Sequence, residues 1–146
     1  MTEDNTENLL TIELKDGTVE IELFPEDAPR HVERIKELAQ EGLYDGVTFH
    51  RVMEGFMAQT GDVKFGNYYD YDENKVGTGG SDKPDLAAEF NERKHVRGTC
   101  SMARSSLPDS ANSQFFICFD TADFLDGDYT VWGQVIAGME HVDKIK

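Results

Sequence analysis

The sequence predicts a mainly β fold, an antiparallel sheet closed into a barrel with helices at its ends. Three observations predict it. A run of alternating apolar and polar residues flanks Asp16-Gly17 near the start of the chain, which is a strong hairpin signal. Several further short strand-like runs follow, with only two stretches at helical spacing. Strands and helices never alternate regularly, so a parallel sheet is not expected, and many short strands in one domain favour a barrel. The whole chain, 1–146, reads as one domain, with no repeat, linker or boundary.

In chain order, Met1–Asn8 reads as a frayed leader. Leu10, Ile12 and Leu14 then share one strand face, and Val19, Ile21 and Leu23 share the inward face of the next strand. In PEDAPRHVERIKELAQEGLY, Asp27 is placed to cap a helix with Pro29 in its first turn. Val32, Ile35, Leu38 and Ala39 form its apolar stripe, and Gly42 ends it. Val47–Val52 and Phe56–Thr60 read as two short strands. The stretch from Gly61 to Asp85, rich in Gly, Asp, Asn and Tyr, is a long loop of the kind that carries function. Gly98–Ala103 and Ser113–Phe119 form a second strand pair, and Thr130–Ile136 another strand. A terminal helix over Gly138–Lys146 offers Met139, Val142 and Ile145 on one side.

Composition narrows the function classes. The formal charge is −15, from 29 acidic and 14 basic residues. Nucleic acid and anionic membranes both need a cationic surface, so neither is an expected partner. The N-terminus is polar and acidic, unlike a signal peptide, and no apolar run reaches the ~20 residues of a membrane span. A cytoplasmic address with both cysteines free is therefore expected. Cys100, by strand register, faces Ile117 and not Cys118, which points to the other side of the sheet. The four histidines lack ligand spacing, so no metal and no cofactor is expected. GTGGSD lacks the ending of a phosphate loop, and a hydrolase reading finds no nucleophile elbow. His50 reads as a hydrogen-bonded structural residue.

Strand alternation singles out one face. In SQFFICF, Ile117 and Phe119 make a core side, which leaves Gln114 and Phe116 on the opposite face. In FMAQT, Met57 and Gln59 likewise share a face. A large apolar ring beside an amide suits a groove for a peptide-like ligand, and equally a second packing face under a helix.

Six segments in order resemble one family. FHRVMEGFMAQTGD, GTGG, AEFN, GTCSMARS, NSQFFICF and FLDGDYTVWGQVIAGME are similar to the signature stretches of the cyclophilins, with the flavour of their bacterial branch. The resemblance implies an eight-stranded antiparallel barrel capped by two helices, with a groove on its outer face for Xaa-Pro segments. It implies peptidyl-prolyl cis/trans isomerase activity assisting protein folding, with Arg51 as the catalytic residue. Phe56, Met57, Phe116 and Leu125 would form the proline pocket. Gln59 and Gln114 would hold the substrate backbone, with Ala103 and Arg104 beside the residues before proline. Proline-containing peptides and protein clients are the implied partners, met by a monomer. Tyr129 stands where eukaryotic members carry His, and Phe124 where they carry Trp; losing the Trp donor implies only weak cyclosporin binding. The rival reading is a binding module, the same groove without useful turnover. The family also carries a further barrel strand after the segment matching DKIK. The chain as written is therefore expected to leave one sheet edge open, and to be less stable than a longer form or to pair that edge with another molecule.

Overall fold

The computed structural model describes residues 9–145, so the leader Met1–Asn8 lies outside the described residues. The expected hairpin is there: β1 (Leu9–Leu14) pairs with β2 (Gly17–Leu23). Leu10 faces Ile21 and Ile12 faces Val19, so the apolar sets of both strands lie on one face. The two residues between the strands are Lys15 and Asp16, and Gly17 already pairs with Leu14 as the first residue of β2.

Helix α1 (Pro29–Gln40) follows, with Val32, Ile35 and Leu38 buried. Its N-terminus departs from expectation. Ala28 is the N-cap and makes no side-chain cap. Asp27 instead accepts from Arg93 Nε at 2.6 Å. The orphan N–H groups of Arg30 and His31 are met from far along the chain, by the carboxylate of Glu89 at 3.2 and 2.9 Å. A free helix start needs acceptors from somewhere, and a tertiary contact supplies them here.

Strands β3 (Arg51–Met53) and β4 (Met57–Thr60) form the next pair. The expected strand Val47–Val52 is shorter than its alternation suggested. Val47 makes a single bridge to Asn67, and Thr48 N–H donates to Gly66 O at 2.9 Å, so this stretch is held by the long loop and not by a ladder. That loop carries its own two-residue strands, β5 (Gly66–Asn67) and β6 (Asp70–Tyr71). Strands β7 (Thr99–Met102) and β8 (Phe115–Cys118), a 3-10 turn at Asp123–Leu125, β9 (Val131–Ala137) and α2 (Met139–Val142) complete the chain.

The main sheet has seven strands in the order β1-β2-β9-β7-β8-β4-β3, every pair antiparallel. Register shifts at Glu20/Ile21 and Cys100/Ser101 are bulges of the kind that bend a strand and tighten its twist. The sheet curls around a core of Val19, Ile21, Ile35, Ile117, Trp132 and Val142, each no more than 1% exposed. Phe115 meets Trp132 edge-on at 5.2 Å. Met139 and Ile145 pack against this core beside Val142. Among the described residues no pairing joins β1 to β3. A groove of about 1240 Å³ lies between β1 and Tyr44–Phe49, so among the described residues the seven strands form a curled half-barrel with no ladder joining its two edges.

Candidate active site

Cross-strand partners share a sheet face, and the register therefore builds the site directly. Arg51 faces Gln59 across β3–β4, Gln59 faces Phe116 across β4–β8, and Phe116 faces Ser101 across β7–β8. Met57 and Cys118 form the next pair on this face. The alternate residues Ala58, Ile117 and Cys100 pair on the core side. The pairing of Cys100 with Ile117 is the one read from the sequence, and both cysteines are free and buried.

The outer face carries a second, smaller apolar cluster. Met57, Phe116, Cys118, Ala122 and Leu125 are buried in it, with Phe56, Ala103 and Tyr129 packed against them. Tyr129 meets Phe116 edge-on at 5.8 Å, and Phe124, 68% exposed, leans on Phe56 at 5.5 Å. The 3-10 turn delivers Leu125 and Phe124 together. Arg104 stacks over Tyr129 at 4.7 Å and donates through Nε and Nη2 to Asp128 O. Next to the cluster lies a cleft of about 720 Å³ reached by Gln59, Ala103, Arg104 and Gln114. Gln59 Nε2 donates to Gln114 Oε1 at 3.0 Å, and Ala103 N–H donates to Gln114 O at 2.9 Å. All the residues singled out in the sequence thus meet on one surface. Arg51 lies at its edge, exposed, with Nη2 3.4 Å from Met53 Sδ and no carboxylate partner among the described residues.

Sequence reasoning missed the layer beneath. His95 is fully buried and stacks under Phe116, with ring centroids 6.1 Å apart. Its Nδ1 lies 2.9 Å from Asp126 Oδ1 and its Nε2 3.0 Å from Ser101 Oγ. The order Asp-His-Ser has the look of a hydrolytic triad, but Ser101 is 0% exposed and its hydroxyl donates to Thr130 O at 2.9 Å. A nucleophile must reach its substrate, so this is a buttress for the Phe116 ring. Burial pushes the Asp126 carboxyl up, and the backbone and ring hydrogen bonds from His95 outweigh that and hold it low. Nothing in local spacing announces a contact between residues 95 and 126. His50 also differs from expectation: its Nδ1 is buried without a partner. Burial lowers its pKa against the pull of Asp62, with Arg51 adding to the lowering. Among the described residues no group of three or more His, Cys, Asp or Glu is placed to hold a metal, and no helix is long and apolar enough to cross a membrane.

Comparison with known proteins decides the family. The model of the cyclophilin type peptidyl-prolyl cis-trans isomerases matches residues 9–146. The chain belongs to the cyclophilin-type peptidyl-prolyl isomerases. A probable peptidyl-prolyl cis-trans isomerase of Brucella suis is 61% identical over 141 residues, covering 96% of this chain and 72% of that protein. A Helicobacter pylori peptidyl-prolyl cis-trans isomerase is 41% identical, covering 93% of this chain and 78% of that one. The fold agrees. A Cryptosporidium parvum cyclophilin-type isomerase, solved in the presence of the dipeptide Ala-Pro, superposes with a TM-score of 0.82 at 29% identity, covering 94% and 84% of the two chains. A Hirschia baltica cyclophilin gives 0.79 at 29% identity, covering 94% and 67%. This cyclophilin is therefore an isomerase of Xaa-Pro peptide bonds, mainly β with two helices.

Proposed function

We propose that Arg51 is the catalytic residue, and that the Phe56, Met57, Phe116 and Leu125 cluster takes the proline ring. The observation that carries this reading is the placement of Arg51. Its guanidinium has no carboxylate partner among the described residues, and it faces Gln59 across the ladder at the edge of an apolar cluster.

An Xaa-Pro bond rotates over a barrier of roughly 18–20 kcal/mol, which takes tens of seconds or longer unaided. The barrier is lost amide resonance. As the bond twists, the proline nitrogen pyramidalises and regains a lone pair. Arg51 donates a hydrogen bond to that nitrogen, which stabilises the twisted amide more than the planar one. Arg suits the task because it is permanently charged and offers several fixed donors. The proline ring in the pocket excludes water, and the lower dielectric strengthens the bond. Gln59 and Gln114 hold the substrate backbone, and Ala103, Arg104 and Tyr129 flank the residues before proline. A turnover on the order of 10³ per second needs about 7 kcal/mol of barrier reduction, within reach of electrostatics and orientation with no covalent intermediate.

The substrates are proline-containing segments of protein clients, and the role is assistance to folding. The two buried free thiols support a reducing compartment, the cytoplasm. A protease-coupled assay on an Ala-Pro peptide, with wild type and Arg51→Ala side by side, tests the reading. A fall of at least about ten-fold in kcat/KM in the variant supports it, and equal activity overturns it.

A further inference from the structure

We propose that Asp62 is a positioning residue for the isomerase site, acting through the Gly77–Gly79 turn to orient the amides of Gln114 and Gln59. The proposal rests on the reading that these two amides hold the substrate backbone.

Asp62 lies two residues beyond the end of β4 and is 0% exposed. A carboxylate out of water must be satisfied by partners, and among the described residues it forms no salt bridge. It has four backbone donors instead. Oδ1 accepts from the N–H groups of Lys64 and Phe65 at 3.1 and 2.9 Å. Oδ2 accepts from those of Gly77 and Gly79 at 2.7 and 3.0 Å. One oxygen thus builds the local turn after β4, and the other draws in the far end of the long loop. Charge-assisted bonds of this kind are short and strong. The approach requires glycine, because a Cβ on Gly79 would run into Asp62 Oδ1.

The drawn-in turn presents two carbonyls to the site. Gly77 O and Gly79 O both accept from Gln114 Nε2, each at 2.9 Å. Two acceptors on one side leave the amide a single sensible orientation, with its NH₂ toward the turn and its oxygen away from it. That oxygen accepts from Gln59 Nε2 at 3.0 Å, which fixes the orientation of the Gln59 amide and leaves its Oε1 and one N–H free. Gln59 faces Arg51 on one side and Phe116 on the other. The acceptor displayed beside the reacting bond is therefore set by a buried carboxylate that never touches substrate.

Asp62→Asn separates the two halves of this arrangement. Its single oxygen serves only one pair of these N–H groups while its NH₂ opposes the other, and with the oxygen on the adjacent Lys64 and Phe65 the N–H groups of Gly77 and Gly79 lose their acceptor. The experiment measures kcat and KM on an Ala-Pro peptide, the denaturant midpoint, and the side-chain amide signals of Gln59 and Gln114 by NMR, for Asp62→Asn, Gln114→Ala and the double variant. We expect Asp62→Asn to raise KM about ten-fold with a smaller change in kcat per folded molecule. The Gln114 amide signals should move, and Asp62→Asn should add less than about two-fold in the Gln114→Ala background. Should Asp62→Asn fail to fold, Gly79→Ala displaces the turn with the carboxylate intact and is expected to raise KM in the same way. An unchanged KM in Asp62→Asn beside a raised KM in Gln114→Ala overturns the relay and leaves the site reading standing. Full additivity in the double variant overturns it too, making Asp62 merely structural. An unchanged KM in Gln114→Ala removes the site reading and the proposal with it.

Discussion

Replacing Arg51 with Ala should weaken catalysis strongly and leave the fold almost untouched. In the free protein the guanidinium is exposed, and among the described residues its one hydrogen bond goes to Met53 Sδ. It fills no core space, so the stability change should stay within about 0.5 kcal/mol, as for most exposed substitutions. In the twisted state it gives a charged hydrogen bond to the proline nitrogen. Such bonds contribute about 1.5–3 kcal/mol net, which converts to a loss of roughly 10- to 150-fold in kcat/KM. Arg51→Lys keeps the charge but not the fixed fork of donors, and should fall between the two. The assay is protease-coupled isomerisation of an Ala-Pro peptide in the cold, where the uncatalysed background is slow, with denaturant midpoints measured in parallel. A variant of unchanged midpoint and unchanged kcat/KM would refute the mechanism. A loss of activity matched by a loss of folded protein would refute the claim that Arg51 acts on the reaction alone.

Three further outcomes are expected. Thiol titration of denatured, unreduced protein should find both Cys100 and Cys118, and the native protein should react slowly. Burial raises the Cys100 thiol, with Cys118 adding to it, and pushes Cys118 up to about 12 with help from Asp126; a disulfide would contradict the register. Stability should fall as pH drops through the ordinary histidine value near 6.5. Burial lowers both His31 and His50, with Glu89 opposing it at His31. The unfolded chain then takes up protons that the fold resists. Replacing His50 with Gln should flatten part of the slope between pH 7.5 and 5.5, and an unaltered slope would clear His50 of the effect. Finally, β1 has one unpaired edge among the described residues beside the apolar groove, and open edges invite pairing. A form lengthened after Lys146 by a strand able to pair there should unfold at higher denaturant while keeping its activity per folded molecule, and equal midpoints would show the groove to be complete without it.

Local pattern sufficed wherever the interaction that holds a residue is a neighbour in sequence or in the strand repeat. The hairpin, the stripe of α1 and the opposite faces of Ile117 and Phe116 were all legible, because a period of two or of 3.6 follows from backbone geometry alone. The site face was legible for the same reason, although only the family motifs told a ligand groove from a second packing face. The cap on α1 was misread, because Asp27 is correctly placed for it and Arg93 competes successfully for its carboxylate. Val47–His50 alternates like a strand, yet the acceptor for Thr48 N–H is Gly66 O in the loop.

What the sequence determined by itself is the first hairpin, the later strand pair with its inward and outward faces, and which residues share the outer face of the sheet. What only the tertiary structure decided is how distant polar groups find one another. Glu89 caps a helix that began 60 residues earlier, Asp126 and Ser101 grip His95 beneath Phe116, and Asp62 gathers Gly77 and Gly79. The physical reason is the same in each case. A buried N–H, ring nitrogen or carboxylate is costly to leave unpaired, so most find a partner. Many residues in a chain of this length could supply the partner, and only the path of the folded backbone selects which one does.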